Sequence, residues 1–391
     1  MTLARARPCA LPEQAGPANH LPCHPICESD TAMLFEPFDL RALRLSNRAV
    51  MSPLTRSRAI GNVPNQLMAT YYGQRATAGL IVTEGTAPSA NGLGYARIPG
   101  LYNAEQVAGW KLVTDAVHVR GGKIVVQLMH TGRIAHHDNM PSGAEVLAPS
   151  AGAAPGEMWT DGQGNLPHTP PRAMTLSDID TVTGEFVKAA RLAIEAGFDG
   201  IELHAANGYL LEQFLNANVN HRDDAYGGGP EQRNRLVLEI ARATAAAIGA
   251  DKVGIRLSPY GVFNGTGSFD GVDAQYLALV RQLSALGLMY VHLLDHAAMG
   301  APPVPDQLKA DLRAAFDGPF ILAGGFDGDS AERALQEGRA DLIALGRSFL
   351  ANPDLVERMR THAPLNAPDP DTFYTPGEKG YTDYPALTPQ A

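Results

Sequence analysis

Short apolar runs alternate with amphipathic stretches along the chain from Met33 onward. Eight of these runs are rich in Val, Ile and Leu and lack polar alternation, which is typical of strands that are covered on both faces. The predicted strands are 49–53, 80–84, 123–128, 200–204, 252–257, 289–294, 319–324 and 341–346. Helical stretches separate them.

The clearest helical stretch spans 177–196. Its apolar side chains recur at helical spacing, at Ile179, Val182, Phe186, Ala190 and Ala193. Ser177 followed by Asp180 resembles a capping box with Asp in place of Glu. Gly197 predicts the end of the helix, directly before the next strand.

Eight repeats of strand and helix favour an α/β fold, a (β/α)8 TIM barrel with a closed parallel sheet. A doubly wound open sheet is the alternative, and it is disfavoured because no Gly-x-Gly-x-x-Gly sequence follows the first strand. The connection over 131–175 is rich in Pro, Gly, His and Asp, and loops of that length usually have a function, for example as lids. We expect a single barrel domain over 33–391 and a disordered tail over 1–32.

The 391 residues carry a net charge of −10 and contain no run of Lys or Arg. Such an acidic chain is a poor candidate for binding nucleic acid or anionic membranes, and no stretch reaches the ~20 apolar residues of a membrane helix. Cys9, Cys23 and Cys27, the three cysteines, all lie in the predicted tail. We therefore expect no disulfide framework or iron–sulfur cluster in the barrel, and a cytoplasmic location. The segment 23–27 resembles half a metal site, but no second ligand pair follows it, so no metal site is predicted.

Barrels of this kind carry their active sites where strands end and loops begin. Polar or glycine residues stand at most of those points, namely Thr55, Glu84, Gln127, His204, Arg256, Gly324, Gly325, Gly346 and Arg347. Glycines let the backbone approach a phosphate closely, and an arginine after the eighth strand suits its oxygens. The glycine turns therefore predict a phosphate site. The alternative is that the glycines only form two tight turns and that the arginine is an ordinary surface residue without a ligand.

A second constellation follows the fourth strand. His204 and Asn207 are three residues apart, so on a helical turn their side chains would share one face and could grip a single carbonyl oxygen. Tyr209 would reach the same ligand from another direction. Taken alone, these residues are equally compatible with a structural role. Arg256 near the end of the fifth strand needs a partner if buried, either an anionic cofactor ring or a carboxylate.

These residues resemble those of the old yellow enzyme family of flavin oxidoreductases, and the resemblance runs over about 34–385. It is carried by motifs in a specific order: Ser-Pro-Leu-Thr-Arg-Ser-Arg at 52–58, Gln-Leu-Met-His-Thr-Gly-Arg at 127–133, the stretch 200–235 with Asn-His-Arg-Asp-Asp-Ala-Tyr-Gly-Gly at 220–228, Ala-Asn-Pro-Asp-Leu at 351–355 and Gly-Tyr-Thr-Asp-Tyr-Pro at 380–385. The order and spacing of these motifs, rather than any single one, indicate the family.

The resemblance implies a tightly bound FMN across the mouth of the barrel. Around its ring the family pattern places Pro53, Leu54, Thr55, Gly85, Gln127 and Arg256. The Thr55 hydroxyl would donate to flavin O4, and Arg256 would stabilise negative charge at the N1/C2=O side. Around its phosphate the pattern places Gly324, Gly325, Gly346 and Arg347.

The resemblance also implies the reaction. NADPH or NADH reduces FMN, and an activated alkene such as an enone, maleimide or nitroalkene then binds over the same ring face. His204 and Asn207 hydrogen-bond its oxygen, flavin N5 delivers hydride to the β-carbon, and Tyr209 protonates the α-carbon. Nitro compounds and nitrate esters are further possible substrates. Thr55, Met129 and Tyr374 complete the implied substrate pocket, and the chain is expected to be a monomer or homodimer.

Departures from the family pattern bear on substrate choice. Met129 stands where relatives often have Trp. Because Met is smaller and more flexible, the sequence does not determine the shape of the substrate pocket. Gly85 stands where Ala is common, and we expect that exchange to be harmless. Gly229–Pro230 replaces the usual small–aliphatic pair, and we expect it to affect only a helix start. Thr55 rather than Cys indicates that the chain resembles the classical branch of the family.

Other functions are compatible with the same barrel. A dienoyl-CoA reductase or amine dehydrogenase would need cysteines for an iron–sulfur cluster, and none follows Cys27. A non-flavin lyase or isomerase acting on a phosphorylated substrate would use the glycine turns but has no need of Gln127 and Arg256 around a flat anion. A flavin-binding protein without turnover would not need His204, Asn207 and Tyr209.

Overall fold

The computed structural model describes residues 32–387, and within them eight parallel strands form a closed barrel. The barrel strands are β1 (Ala49–Met51), β2 (Leu80–Val82), β3 (Ile124–Leu128), β4 (Gly200–Ala205), β5 (Val253–Leu257), β6 (Tyr290–Leu294), β7 (Phe320–Ala323) and β8 (Leu342–Leu345). The barrel closes between β8 and β1, where Ala344 pairs with Val50. All eight strands that the apolar runs predict are confirmed. The bounds differ by one or two residues: most predicted strands begin one residue early or end one or two residues late, and β4 continues one residue beyond its predicted end, because an apolar run does not stop where the hydrogen-bonded ladder stops.

Every strand residue of the barrel is buried, as the unbroken apolar runs imply. The helices between and after the strands are α1 (Gln66–Gln74), α2 (Ala104–His118), α3 (Leu176–Glu195), α4 (Leu210–Leu215), α5 (Pro230–Ile248), α6 (Val272–Ala285), α7 (Asp306–Ala315), α8 (Gly328–Gln336), α9 (Arg347–Ala351) and α10 (Leu355–Arg360). Among residues 32–387, no helix combines the length and the apolar character that crossing a bilayer requires. Helix α5 begins with Pro230 in its first turn, a position that proline favours, so the Gly229–Pro230 departure leaves the helix start intact.

The predicted helix in the middle of the chain is confirmed, but its predicted cap is wrong. Thr175, not Ser177, is the N-cap: its hydroxyl accepts from the N–H of Asp178, and the Asp178 carboxylate accepts from the N–H of Thr175 at 2.7 Å. Thr175 has extended backbone angles, whereas Ser177 already lies inside the helix. The capping box therefore starts two residues earlier than predicted, since the pattern repeats at Thr175–Asp178.

The interior of the barrel is packed by alternate strand residues and by a hairpin that precedes the first strand. The hairpin pairs Phe38–Leu40 with Leu43–Leu45, and its Leu40 and Leu45 belong to one buried cluster with strand residues such as Leu342. The long connection between β3 and α3 has structure of its own, an antiparallel hairpin of Glu157–Thr160 and Gly164–Pro167. The predicted tail and its cysteine motif lie outside the described residues, apart from Ala32.

Candidate active site

One cavity of about 890 Å³ lies at the carboxyl ends of the barrel strands. Its lining includes every residue that the sequence nominated for cofactor or substrate: Pro53, Leu54, Thr55, Gly85, Gln127, Met129, His204, Asn207, Tyr209, Arg256, Gly324, Gly325, Gly346, Arg347 and Tyr374. The structure therefore brings these side chains together, because parallel strands all end at the same rim of a barrel. Their individual roles stay predictions.

The glycine turns form one end of this cavity. Gly324 has a φ of 144° and Gly325 a φ of 75°, both in the region that favours glycine. A Cβ on Gly324 would lie 2.6 Å from the carbonyl oxygen of Asp295, so no other residue fits there. Arg347 is exposed beside these turns and makes no side-chain hydrogen bond or ion pair with any residue in 32–387. The arrangement suits a phosphate, which would supply the missing partner.

Arg256 is a buried cation without a direct hydrogen-bond partner. Only 5% of its surface is exposed, and its Nε donates to no residue in the described part of the chain. Burial lowers the pKa of Arg256, and the negative charge of Glu202 partly opposes this effect. A buried guanidinium with free donors facing a cavity fits a planar anionic group such as a flavin ring. The Thr55 hydroxyl likewise makes no hydrogen bond within 32–387.

Glu202 is a buried carboxylate that the sequence analysis missed. It lies on β4 and accepts hydrogen bonds from Gln127 Nε2 at 2.7 Å and from the Tyr290 hydroxyl at 3.0 Å, and His292 Nδ1 lies 2.8 Å away. Burial alone would raise its pKa, but His292 and Arg256 hold the pKa of Glu202 below its ordinary value. The ionised carboxylate fixes Gln127 and faces Arg256. Its position two residues before His204, on the same inward face, is the signal that could have revealed it.

His204 faces the cavity with neither ring nitrogen hydrogen-bonded to a residue in 32–387, and its buried Nδ1 has no partner there. Burial, followed by the nearby positive charge of Arg256, holds the pKa of His204 well below its ordinary value of 6.5. The ring is therefore a neutral imidazole near neutral pH. It can donate one hydrogen bond to a ligand in the cavity without carrying a charge.

Asn207 does not lie on a helical turn with His204, so that prediction is wrong. Strand β4 continues to Ala205, and Asn207 then takes a left-handed backbone with φ of 60°, followed by Gly208 at 76°. Two side chains hold this turn: the Asn207 N–H donates to Ser258 Oγ at 2.9 Å, and its carbonyl accepts from Asn264 Nδ2 at 2.7 Å. The turn still brings Asn207 and His204 to one cavity, by a different backbone path.

Tyr209 precedes helix α4, and its ring centroid lies 4.9 Å from that of His204. Its hydroxyl lies 3.2 Å from the hydroxyl of Tyr95, another residue that lines the cavity and that sequence reasoning missed. Burial raises the pKa of Tyr209, although the hydrogen bond with Tyr95 opposes this. The phenol is therefore protonated near neutral pH and can supply a proton.

Met129 and Gly85 are packed against each other. A Cβ on residue 85 would lie 2.6 Å from Cε of Met129 and 3.1 Å from its Cβ. Met129 is almost fully buried in a small apolar cluster with Ala87, Leu93 and Ile98. The absence of a side chain at position 85 thus leaves room for the thioether of Met129, and the expectation that glycine is harmless there stays a prediction.

The rim of the cavity is apolar and exposed. Tyr374 is 62% exposed, and the partly exposed large side chains of Trp159, Phe263 and Met299 also line the opening. Trp159 comes from the hairpin in the long connection, and a role of that connection as a lid stays a prediction. Sequence reasoning missed these three residues, because loop residues show no periodicity.

The C-terminal segment that carries Tyr374 is tied to the barrel by buried arginines. Arg56 donates to the carbonyls of Phe373 at 3.1 Å and Gly380 at 2.6 Å. Its backbone N–H donates to Glu84, whose carboxylate also accepts from the hydroxyl of Tyr72. Burial raises the pKa of Glu84 to about 7. Glu84, which the sequence placed at a strand end with the candidate site residues, therefore holds the C-terminal segment and is not part of the cavity lining.

Comparison with known proteins places this site in a family. The model of the NADH:flavin oxidoreductase / NADH oxidase family matches residues 33–366. The 12-oxophytodienoate reductase 7 of Oryza sativa subsp. japonica is 40% identical over 379 residues, covering 91% of this chain and 95% of that protein. The 12-oxophytodienoate reductase 2 of Arabidopsis thaliana is 38% identical over 358 residues, covering 90% and 96%.

Solved structures show the same similarity in three dimensions. Morphinone reductase superposes with a TM-score of 0.87 at 42% identity, covering 90% of this chain and 96% of that one. The old yellow enzyme homologue from Zymomonas mobilis superposes with a TM-score of 0.87 at 40% identity, covering 90% and 99%. The chain therefore belongs to the old yellow enzyme family of NADH:flavin oxidoreductases, and it is a flavin-dependent NAD(P)H oxidoreductase on a TIM barrel.

Proposed function

We propose that the protein is an FMN-dependent ene-reductase that uses NADPH or NADH to reduce the C=C bond of enones, maleimides and nitroalkenes. One observation carries this proposal: a neutral His204, the Asn207 amide and the protonated Tyr209 line one cavity together. Two hydrogen-bond donors and a proton source are what the reduction of a polarised alkene requires. Similarity to morphinone reductase, which has been solved with tetrahydroNAD, supports a nicotinamide nucleotide as the reductant.

The residues of the cavity fit FMN. Gly324, Gly325, Gly346 and Arg347 would hold its phosphate, and Thr55, Gln127 and Arg256 would contact the polar edge of its ring. The donors of Arg256 and Thr55, which have no partner in residues 32–387, support this assignment. When bound, the flavin supplies hydride chemistry, taking a hydride from the nicotinamide and giving it to the alkene.

The residues of this chain then have separate tasks. His204 and Asn207 donate to the carbonyl or nitro oxygen, which draws electron density from the double bond and makes the β-carbon a better hydride acceptor. Because His204 is neutral, it stabilises the developing negative charge by hydrogen bonding. Tyr209 transfers its phenolic proton to the α-carbon. The raised pKa of Tyr209 keeps that proton in place until a strongly basic carbon forms.

The experiment begins with the colour and content of the purified protein. We expect a yellow preparation that releases FMN rather than FAD on denaturation. Under anaerobic conditions, NADPH or NADH should bleach the flavin, and 2-cyclohexenone should restore its absorption with formation of cyclohexanone. A colourless protein that cannot be reconstituted with FMN would contradict the flavin assignment. Reoxidation by oxygen but by no activated alkene in a panel would contradict the ene-reductase proposal.

A further inference from the structure

The side chain of Asn207 is held by a histidine that no family motif nominated. His296 lies in the loop after β6, is almost fully buried, and lines the same cavity. Its Nε2 is 2.8 Å from Oδ1 of Asn207. Its ring packs against Phe263 with a centroid distance of 4.7 Å, which fixes the orientation of the imidazole.

The direction of this hydrogen bond follows from the chemistry of the two groups. An amide oxygen only accepts, so the proton must sit on Nε2 of His296. Burial, helped by the positive charge of Arg256 and opposed by Asp295, lowers the pKa of His296 to about 4. The ring is therefore neutral near neutral pH, with a single N–H. Its Nδ1 is buried and has no hydrogen-bond partner within residues 32–387, so the N–H···O bond to Asn207 is the polar contact that the ring makes there.

This bond decides which end of the Asn207 amide meets the ligand. The backbone of Asn207 is already held on both sides by Ser258 and Asn264. With Oδ1 engaged by His296, the NH₂ group remains free to donate, and it forms no hydrogen bond to any residue in the described chain. A flipped amide would turn Oδ1 toward the substrate oxygen, and two acceptors would then face each other.

We propose that His296 is a positioning residue, which holds the Asn207 amide with its NH₂ group toward the substrate oxygen. The proposal rests on the ene-reductase function and adds to it one residue that supports Asn207. His296 does not touch the reacting atoms. It acts through Asn207: His296 orients the amide, and the amide donates the hydrogen bond to the substrate.

Three substitutions separate the hydrogen bond from the bulk of the side chain. His296→Gln places an N–H donor at the ε position, His296→Asn places it one atom short, and His296→Leu fills similar space without a donor. We expect kcat/KM for 2-cyclohexenone to fall on the order of tenfold in the Leu and Asn variants and to stay within about threefold of wild type in the Gln variant. The matched control is His221→Gln, at an exposed histidine outside the cavity lining, and it should not change kcat/KM.

A double-mutant cycle with Asn207→Ala tests whether His296 acts through Asn207. If it does, His296→Leu should cost nothing further in the Asn207→Ala background, both in kcat/KM and in the affinity for cyclohexanone measured by flavin absorption. An equal loss in both backgrounds would overturn the proposal, as would a Gln variant as impaired as the Leu variant. A wild-type protein without ene-reductase activity would instead contradict the proposed function. The flavin content and thermal unfolding of each variant show whether it is folded.

Discussion

The thioether of Met129 lies against the backbone of Gly85, so closely that a methyl group on residue 85 would fit only if the Met129 side chain moved. The two residues sit at the ends of neighbouring strands, β2 and β3, and both line the cavity. A larger residue at one position therefore requires a different side chain, or a different rotamer, at the other. The shape of the cavity wall at this point therefore depends on both residues together.

We expect Gly85→Ala to destabilise the protein by about 1–3 kcal/mol, as overpacking of a well-packed core commonly does. Met129 would have to swing into the cavity and narrow it. In the Met129→Ala background Gly85→Ala should cost little, because the colliding Sδ and Cε atoms are gone, so the double variant should be about as stable as Met129→Ala alone. Thermal unfolding of the two single variants and the double variant measures the coupling. Strictly additive effects, or a Gly85→Ala protein as stable as wild type, would contradict the packing relationship.

Tyr209→Phe should separate the two halves of the catalytic cycle. The variant keeps the ring but loses the proton, so flavin reduction by NADPH should stay within a few-fold of wild type. Reoxidation by 2-cyclohexenone should fall by roughly 10²-fold or more, since general acid catalysis typically contributes that much. Anaerobic stopped-flow absorption follows each half separately. Equal losses in both halves would show that Tyr209 shapes the pocket and does not donate the proton.

Arg347 should discriminate FMN from riboflavin, which lacks the phosphate. The side chain is exposed and unpaired among the described residues, so Arg347→Ala should leave the fold intact while weakening FMN binding by about tenfold or more. Riboflavin affinity should not change. Fluorescence titration of the apoprotein with each compound measures both constants. Arg339→Ala, at an arginine that is paired with Glu337 outside the cavity, is the control. An equal loss of riboflavin affinity would contradict the assignment of Arg347 to the phosphate of FMN.

Glu212 should make stability depend on pH. Its carboxyl accepts from the Gly208 N–H at 2.6 Å and from Ser258 Oγ at 3.0 Å, and burial raises its pKa from 4.5 to about 8. Between those values only the unfolded chain loses the proton, so the contribution of Glu212 to stability is present below pH 4.5 and declines by about 1.4 kcal/mol per pH unit up to about pH 8.

Glu212→Gln keeps a neutral acceptor and removes this titration. The free energy of unfolding should therefore fall less between pH 5 and pH 8 in the variant than in the wild type, as measured by denaturant titration at each pH. Glu195→Gln, at an exposed carboxylate, should leave the pH dependence as it is. An unchanged slope in the Glu212 variant would mean that the buried carboxyl ionises at its ordinary pKa.

The sequence by itself determined the barrel and the strand-end residues that line its cavity. Eight apolar runs without polar alternation require strands covered on both faces, and eight parallel strands bring their carboxyl ends to one rim. Residues as distant as Thr55 and Arg347 could therefore be assigned to one site from their positions at strand ends, and the family motifs added what chemistry to expect there.

Only the tertiary structure decided how those side chains meet. The backbone turns left-handed at Asn207, which brings its side chain to His296. Met129 packs on Gly85 from a neighbouring strand end. Both contacts are between residues of different strands or loops. Such contacts depend on loop paths and on rotamers selected by close packing, and neither leaves a periodic signal in the chain. For Glu202 both sources were needed. The strand pattern in the sequence predicts that its side chain points inward, but its hydrogen bonds with Gln127 and Tyr290 form only because the barrel is closed.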